Sequence, residues 1–250
     1  MRRSVFTRPE AVSFTLLLLL REEDNARYLF APLWAGFTET EQFYRWPGLA
    51  PEFRRVYAGP RPPGSAVQLS AEEVVPDSAV AGLSWSSALG RLSRTYDAAK
   101  LGPLARDLAR ADDVVILVTD QELTPPEDWR YIIWDPFENG TVISIAPTDP
   151  RYWRNRDPNR LSTIKHRIRT ACISVVGESM GLNRCQNAKC LLYDNIDDVE
   201  VLDTMLYLGA EHGLSERTGL GYRPRPSNPS VIQELEPLAS DSPREEVSPA

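Results

Sequence analysis

The segment DDVVILVTD, which begins at Asp112, constrains the fold of this chain more than any other feature of the sequence. Its apolar residues run without interruption, and acidic residues bound them at both ends. A run of this kind is typical of a central strand that is buried on both faces of a sheet. The run from Val12 to Leu20 predicts a second buried strand for the same reason. The chain is therefore expected to fold around a sheet that other elements cover.

Two more strand candidates follow the central one. They are YIIWD at residue 131 and TVISIAP at residue 141, and ENG at residue 138 predicts the turn that joins them. Earlier in the chain, residues 36–69 are rich in proline with scattered aromatic side chains, and we predict irregular structure there. The segment GPRPPGS, from Gly59, predicts a loop within this region.

Three segments have helical spacing. In residues 86–110 the pattern contains Pro103, which predicts either a break into two helices or the start of the second one. Residues 160–180 predict the longest helix, and Gly181 stands where a helix end favours a left-handed residue. Residues 197–208 predict a further helix with acidic residues at its start. The predicted buried face of the longest helix comprises Ile164, Ile168, Cys172 and Val175 or Val176.

The composition bears on location and partners. A net charge of −7 argues against nucleic acid or an anionic membrane as the partner of the whole chain. An odd, low number of cysteines is typical of a reducing compartment and not of a disulfide scaffold. The N-terminal apolar run is too short to span a membrane, and no small-residue cleavage site follows it. We therefore expect a soluble, cytoplasmic protein with no membrane partner.

The last part of the chain differs in composition from the rest. From Ser215 onward it is rich in proline, serine and glutamate and has few large apolar residues. Such a composition cannot bury enough apolar surface to form a core. We predict a folded domain over residues 1–213 and a disordered tail over residues 214–250.

One stretch carries a specific pattern of glycines and cysteines. Residues 172–185 read CISVVGESMGLNRC, and Cys190 follows four residues after Cys185. Ahead of it stand TYDAAKL from Thr95, the strand ending in VTD, and TVISI. Over residues 86–210 this order resembles the archaemetzincin family of zinc metallopeptidases. The pattern of that family is HExGHxxGLxHC followed by a second cysteine, and the glycines, the leucine and both cysteines of this chain fall in register with it.

The resemblance implies an α+β fold, with a metzincin-like mixed sheet, TVISI as its edge strand and an active-site-type helix. The three zinc-binding histidines of the family fall on Ser174, Glu178 and Arg184, and its general-base glutamate falls on Val175. Serine is a poor zinc ligand, arginine cannot deprotonate, and valine cannot accept a proton from water. The chain has two histidines, so a three-histidine site is excluded. One of them, His166, is predicted to lie on the surface of the helix.

The family also has a structural zinc held by four cysteines. Cys185 and Cys190 match the first pair, whereas no cysteine stands at the positions of the second pair, near residues 207 and 210. We predict that the two thiols bind no metal and either remain reduced or form a local disulfide. A residual zinc site made of Cys185, Cys190 and His212 is the alternative.

The positions that have lost the zinc ligands suggest a replacement for the metal. Glu178 and Arg184 carry opposite charges at positions where, by the resemblance, side chains converge. We predict that they form an ion pair in place of the zinc, with a hydrogen bond from Ser174, one helical turn before Glu178. In the alternative arrangement both charged groups face solvent.

Three functions follow from these predictions. The first is a catalytically inactive, archaemetzincin-like protein that binds a protein or peptide and has no cofactor. The second is a metal-dependent peptidase with unconventional ligands, for which Glu178 is a candidate. The third is a nucleic-acid or phosphate binder through the basic residues 151–169, where Tyr152 and Trp153 are interleaved. Whether the chain is an enzyme stays open. Further acids that the second function would draw on are Glu122, Glu127, Asp194, Asp197 and Asp198.

Overall fold

A computed structural model describes residues 12–45, 51–60, 88–91, 94–196, 198–206 and 208. Within these residues, five strands form one sheet, and four α-helices and two short 3-10 helices surround it. The strands are β1 (Ser13–Leu19), β2 (Glu52–Ala58), β3 (Val114–Thr119), β4 (Trp134–Phe137) and β5 (Gly140–Ser144). The α-helices are α1 (Glu23–Tyr44), α2 (Ala98–Asp107), α3 (Arg160–Ser179) and α4 (Val201–Thr204), and the 3-10 helices are Ala146–Thr148 and Pro150–Trp153.

Strand β3 lies at the centre of the sheet, whose order is β2-β1-β3-β5-β4. It is parallel to β1 and β5 on its two sides, and β2 is parallel to β1. Strand β4 is antiparallel to β5 and forms the outer edge. The side chains from Val115 to Val118 are completely buried, as the continuous apolar run predicts. The α+β class and the mixed sheet are thus confirmed.

Helices cover both faces of the sheet. On one face α1 and α3 pack against each other and against the side chains of Leu16, Leu18 and Ile116. On the other face α2 packs over Leu17 and neighbouring residues of β3 and β5. Alternate residues of β1 thus point into different parts of the core, which explains why the strand has no polar face. The segments that follow β3 and β5 start at the C-terminal edge of the sheet.

The prediction of irregular structure over residues 36–69 is wrong in two places. Helix α1 extends to Tyr44 and contains Pro32 in its interior, and β2 follows it within the same region. The helix tolerates the proline because a stripe of large side chains holds it against the sheet and α3. That stripe comprises Leu29, Phe30, Leu33, Trp34 and Phe37. Strand β2 was missed because its first half, which includes Arg54 and Arg55, is only half buried, as suits an edge strand.

Three further predictions need correction. Helix α2 runs through Pro103 without a break, and Asp97 caps its start by accepting from the Ala99 N–H at 3.0 Å. TVISI forms β5, which is an inner strand because β4 pairs with its outer side. Of the helix predicted over residues 197–208, the described residues contain only α4, which is a single turn. The predicted turn and the pairing of the strands on its two sides are confirmed, with Asn139 at a φ of 61°, although β4 begins at Trp134 and not at Tyr131 as predicted.

Helix α3 agrees with its prediction. It runs over almost the predicted range, and all five predicted core residues are buried. Gly181 follows it with a φ of +80°, a conformation that residues with side chains rarely adopt. No helix among the described residues is both long and apolar enough to cross a membrane. The predicted boundary at residue 213 and the predicted tail over residues 214–250 lie outside the described residues.

Candidate functional site

The end of α3 brings the two charged residues of the predicted site into contact. The Leu182 N–H donates to the carbonyl of Gly177 at 2.9 Å, and the Gly181 N–H donates to that of Glu178 at 2.8 Å. These bonds close the last turn of the helix and fold the chain back over it. Arg184 therefore returns to the side of the helix on which Glu178 lies.

Glu178 and Arg184 form a partly buried ion pair. The Arg184 Nε donates to Oε1 of Glu178, and the Arg184 Nη1 donates to the carbonyl of Tyr193 at 3.3 Å. The guanidinium group lies 5.9 Å from the centre of the Trp134 ring, within range of a cation–π contact. The two side chains are 29% and 33% exposed. Burial lowers the pKa of Arg184, and the nearby charge of Asp194 opposes this effect.

Ser174 does not support this pair. Its side chain is fully buried, and within the described part of the chain its Oγ has no hydrogen-bond partner. The predicted hydrogen bond from Ser174 to Glu178 is therefore wrong. The Glu178 carboxylate turns outward to Arg184, whereas Ser174 lies deeper in the core. Val175, which the sequence resemblance matches to the general base, is also buried in that core, at 4% exposure.

A cleft of about 520 Å³ opens beside the ion pair. One wall is the segment that leads into β4, and the other is the chain that follows Gly181. The lining residues are Asp128, Trp129, Arg130, Tyr131, Ile132, Ile133, Trp134, Arg184, Asp194 and Ile196. We call it the first cleft. The segment YIIWD was predicted only as a strand, and the cleft was missed, although the three aromatic residues of DWRYIIW are typical of a binding surface.

The residues at this site do not fit a catalytic zinc. The positions that should supply ligands offer a buried hydroxyl, one carboxylate and a guanidinium, and the carboxylate is already bound to the guanidinium. No group of three potential metal ligands occurs among the described residues. A metal that replaced the pair would have to break the contact between Glu178 and Arg184 and leave a cation beside the metal.

The cysteine pair lies next to this site. Cys185 is half buried, and its N–H and C=O bond to Leu192 and Asp194, respectively. Cys190 is fully buried, and the Leu192 N–H donates to its Sγ at 3.3 Å. No disulfide joins Cys172, Cys185 and Cys190, which all lie among the described residues. The third residue of the alternative zinc site, His212, lies outside the described residues.

The other candidate residues are dispersed. The carboxylate of Glu122 accepts a 2.7 Å hydrogen bond from the Tyr152 hydroxyl. Burial, and after it this hydrogen bond, raises the pKa of Tyr152 to about 12. Glu127 is 92% exposed and lies 3.9 Å from Arg91. Asp198 is exposed near the start of α4, whereas Asp194 lines the first cleft. Asp197 lies outside the described residues. The structure therefore brings only Asp194 to the ion pair.

His166 is not the surface residue that we predicted. It is half buried between α3 and α4, and its Nε2 lies 3.2 Å from the carbonyl of Leu202. Burial lowers its pKa below the ordinary value of 6.5, and the charge of Arg169 acts in the same direction. The neutral ring donates its Nε2–H to that carbonyl. His166 therefore joins two helices and takes no part in the cleft.

Comparison with known proteins gives a match at the level of structure only. No protein-family model matches the chain, and no curated protein sequence matches it. An archaemetzincin from Methanopyrus kandleri matches 86% of this chain and 98% of its own, with a TM-score of 0.54 and 16% identity. A zinc-dependent peptidase from Methanocorpusculum labreanum matches 80% of this chain and 98% of its own, with a TM-score of 0.54 and 14% identity. At these identities the likeness establishes a shared fold and no more. This chain has the fold of the archaemetzincins.

Proposed function

We propose that this chain binds an extended peptide in the first cleft and does not hydrolyse it. The observation that carries the proposal is the ion pair between Glu178 and Arg184 beside the cleft, at two positions that the sequence resemblance matches to metal ligands. It ties the turn after Gly181 to α3, as a metal would. Val175 offers no group that could activate water. A cleft that keeps its shape but lacks this chemistry can still bind.

The edge strand β4 supports the binding of a peptide. The Ser144 N–H donates to the carbonyl of Ile133, so the antiparallel pattern directs the amide groups of Asp135 and Phe137 toward β5. The N–H and C=O of Trp134 then point to the open edge, and so does the carbonyl of Pro136. A peptide could add to this edge through main-chain hydrogen bonds. Because Pro136 has no N–H, the pairing is limited to the part of β4 that borders the cleft.

The side chains of the first cleft indicate what such a peptide would contribute. Trp129 is 59% exposed at one end, and Trp134 lies beneath the Arg184 guanidinium. Aromatic and arginine side chains in a concave site are typical of residues that dominate binding energy. An apolar side chain of the peptide would pack on Trp129, and its main chain would pair with Trp134.

The second function, a peptidase with unconventional ligands, has one observation in its favour. A neighbour in structure is described as a zinc-dependent peptidase. Asp194 and Glu178 lie close enough to Arg184 to interact with it. A metal at this position would require Arg184 to move away. The two functions therefore differ in measurable metal content and in cleavage.

The test combines binding and cleavage in one experiment. The full chain, purified without chelator and then incubated with zinc, is analysed for metal and mixed with a library of fluorescent octapeptides. We expect less than a tenth of an equivalent of zinc at the site, saturable binding of some peptides, and no cleavage products by mass spectrometry. Trp129→Ala should weaken binding about tenfold, whereas Tyr28→Ala, an exposed aromatic residue outside this cleft, should not.

Two results would contradict the proposal. Stoichiometric zinc together with cleaved peptides would establish the peptidase instead. Binding that is the same in Trp129→Ala and in the parent chain would show that the peptides bind elsewhere.

A further inference from the structure

Of the four exposed aromatic side chains among the described residues, all but Trp129 lie on or near one loop. Residues 151–156, which we call the basic loop, contain Tyr152 and Trp153, at 37% and 40% exposure. Beside the loop lies a second cleft of about 840 Å³, lined by Arg151, Arg156 and other residues up to Ser162. Tyr28 of α1 lines the same cleft and is 53% exposed. The first cleft does not include any of these residues.

The arginines of the basic loop have no ion-pair partners within the described part of the chain. Arg151, Arg154 and Arg156 are all exposed, and none of their guanidinium groups lies within 4.0 Å of a described carboxylate. The acids next to them are engaged elsewhere. Asp149 accepts a hydrogen bond from the Arg160 Nε at 2.8 Å. Asp157 accepts one from the Thr163 hydroxyl at 2.5 Å. A chain of net charge −7 thus exposes a concentrated positive surface here.

The aromatic rings at this surface are held in place. The Trp153 indole N–H donates to the carbonyl of Pro147 at 2.8 Å, and its ring packs edge-to-face with Tyr152 at 4.9 Å. The guanidinium of Arg27 lies 5.5 Å from the centre of the Tyr28 ring. The rings of Tyr152 and Trp153 are thus held by hydrogen bonds and by each other while part of their surface stays exposed. Fixed, exposed rings among cations suit planar ligands that carry negative charge.

We propose that the basic loop and the second cleft bind single-stranded nucleic acid. The arginines would contact successive phosphates, and the bases would stack on Tyr28 and on the rings of the basic loop. An acidic peptide would satisfy the arginines but would leave these rings unused. Duplex DNA would satisfy the phosphate contacts, but its bases are stacked on one another and cannot reach the rings. A single strand can contact the arginines through its phosphates and the aromatic rings through its bases.

The experiment uses the full chain and a fluorescein-labelled dT12 oligonucleotide in a polarisation assay. Three phosphate contacts predict that log K falls with log salt with a slope of about −2. Arg151→Gln, Arg154→Gln and Arg156→Gln together should remove most of this slope and weaken binding at least about tenfold. Arg110→Gln, at the opposite end of β3, is the matched control and should leave binding unchanged.

The aromatic part has its own test. Tyr28→Ala should weaken binding at least about fivefold, whereas Tyr28→Phe, which keeps the ring, should bind like the parent chain. Tyr28 is exposed on a helix, so neither change should alter the fold, which thermal unfolding of each variant checks.

Three outcomes would overturn the proposal. One is no saturable binding of dT12 at 50 mM salt. Another is equal binding of a duplex of the same length, or equal competition by polyglutamate, which would identify a general surface for polyanions. The third is a control variant that weakens binding as much as the triple variant does. Loss of peptide binding in the first cleft has no bearing on any of these results.

Discussion

At the residue scale, Ser174 and Glu178 show how far two positions one helical turn apart can differ. Glu178 reaches a partner across the turn, whereas the Ser174 hydroxyl is buried without one among the described residues. A buried hydroxyl that makes no hydrogen bond costs roughly 1–3 kcal/mol. Ser174 therefore lowers the free energy of unfolding at the position that the sequence resemblance matches to the first metal ligand.

The prediction for Ser174 uses a matched pair of substitutions. Ser174→Ala should stabilise the protein by about 1 kcal/mol more than Ser179→Ala does. Both changes gain the same helix propensity, but the Ser179 Oγ donates to the carbonyl of Val175 at 2.9 Å and is exposed. Urea unfolding of both variants measures the difference. Equal stabilities would mean that the Ser174 hydroxyl is satisfied in solution.

His166 predicts a dependence of stability on pH. Its pKa is lowered in the folded state, so the unfolded chain binds the proton more readily. The contribution of His166 to the free energy of unfolding is complete above the pKa of about 6.5 that the ring has in the unfolded chain. It is lost as the pH falls through the lower pKa of the folded state. Between pH 7.5 and 5.5, the parent chain should lose more unfolding free energy than His166→Gln. An equal loss of unfolding free energy in the parent chain and in His166→Gln would show that the His166 ring is solvated in the folded state.

Part of the site was predictable at this scale and part was not. Opposite charges at converging positions predicted the contact between Glu178 and Arg184. The sequence does not show how deeply a helix sits, so it could not tell that Ser174 lies below the pair. Nor could it place Trp134 under Arg184, because that contact depends on the antiparallel edge strand and on the turn after Gly181 together.

At the scale of elements, continuous or periodic apolar patterns predicted β1, β3 and α3, since burial alone determines those patterns. Helix α1 and strand β2 were missed because each contains residues that argue locally against it. Pro32 stands inside the helix, and charged residues begin the strand. Contacts from distant parts of the chain override these local preferences, and a single sequence does not reveal such contacts.

Helix α2 offers a test of how far tertiary contacts override the local preference of a proline. Pro103 is exposed in its interior, where it removes one backbone hydrogen bond and contributes little packing. Pro103→Ala should therefore stabilise the protein by about 1 kcal/mol or more. Pro32→Ala in α1 should give less, because Pro32 is half buried and packs. Thermal unfolding compares the two. A loss of stability in Pro103→Ala would mean that the ring supports α2 through contacts to its neighbours.

At the scale of the whole molecule, the shared fold carries a prediction about zinc binding. If the backbone holds the ligand positions as in a zinc peptidase, Ser174→His, Glu178→His and Arg184→His together should bind about one equivalent of zinc. The control replaces Ser174→His by Ser179→His, which places the third imidazole on the exposed side of α3. Elemental analysis of both triple variants checks this. Equal zinc in both would show that the three positions do not converge.

The central position of β3 also has a consequence for synthesis of the chain. Strand β1 pairs with β3, and the hydrogen bond from Ser13 to Asp113 spans 100 residues. At about 5–20 residues per second, a ribosome needs roughly 5–20 s to extend the chain from one strand to the other. During that time the four consecutive leucines of β1 have no partner at the centre of the sheet. The apolar strand β1 therefore stays exposed on the nascent chain until β3 has been made, and a translation pause before residue 112 would prolong that exposure.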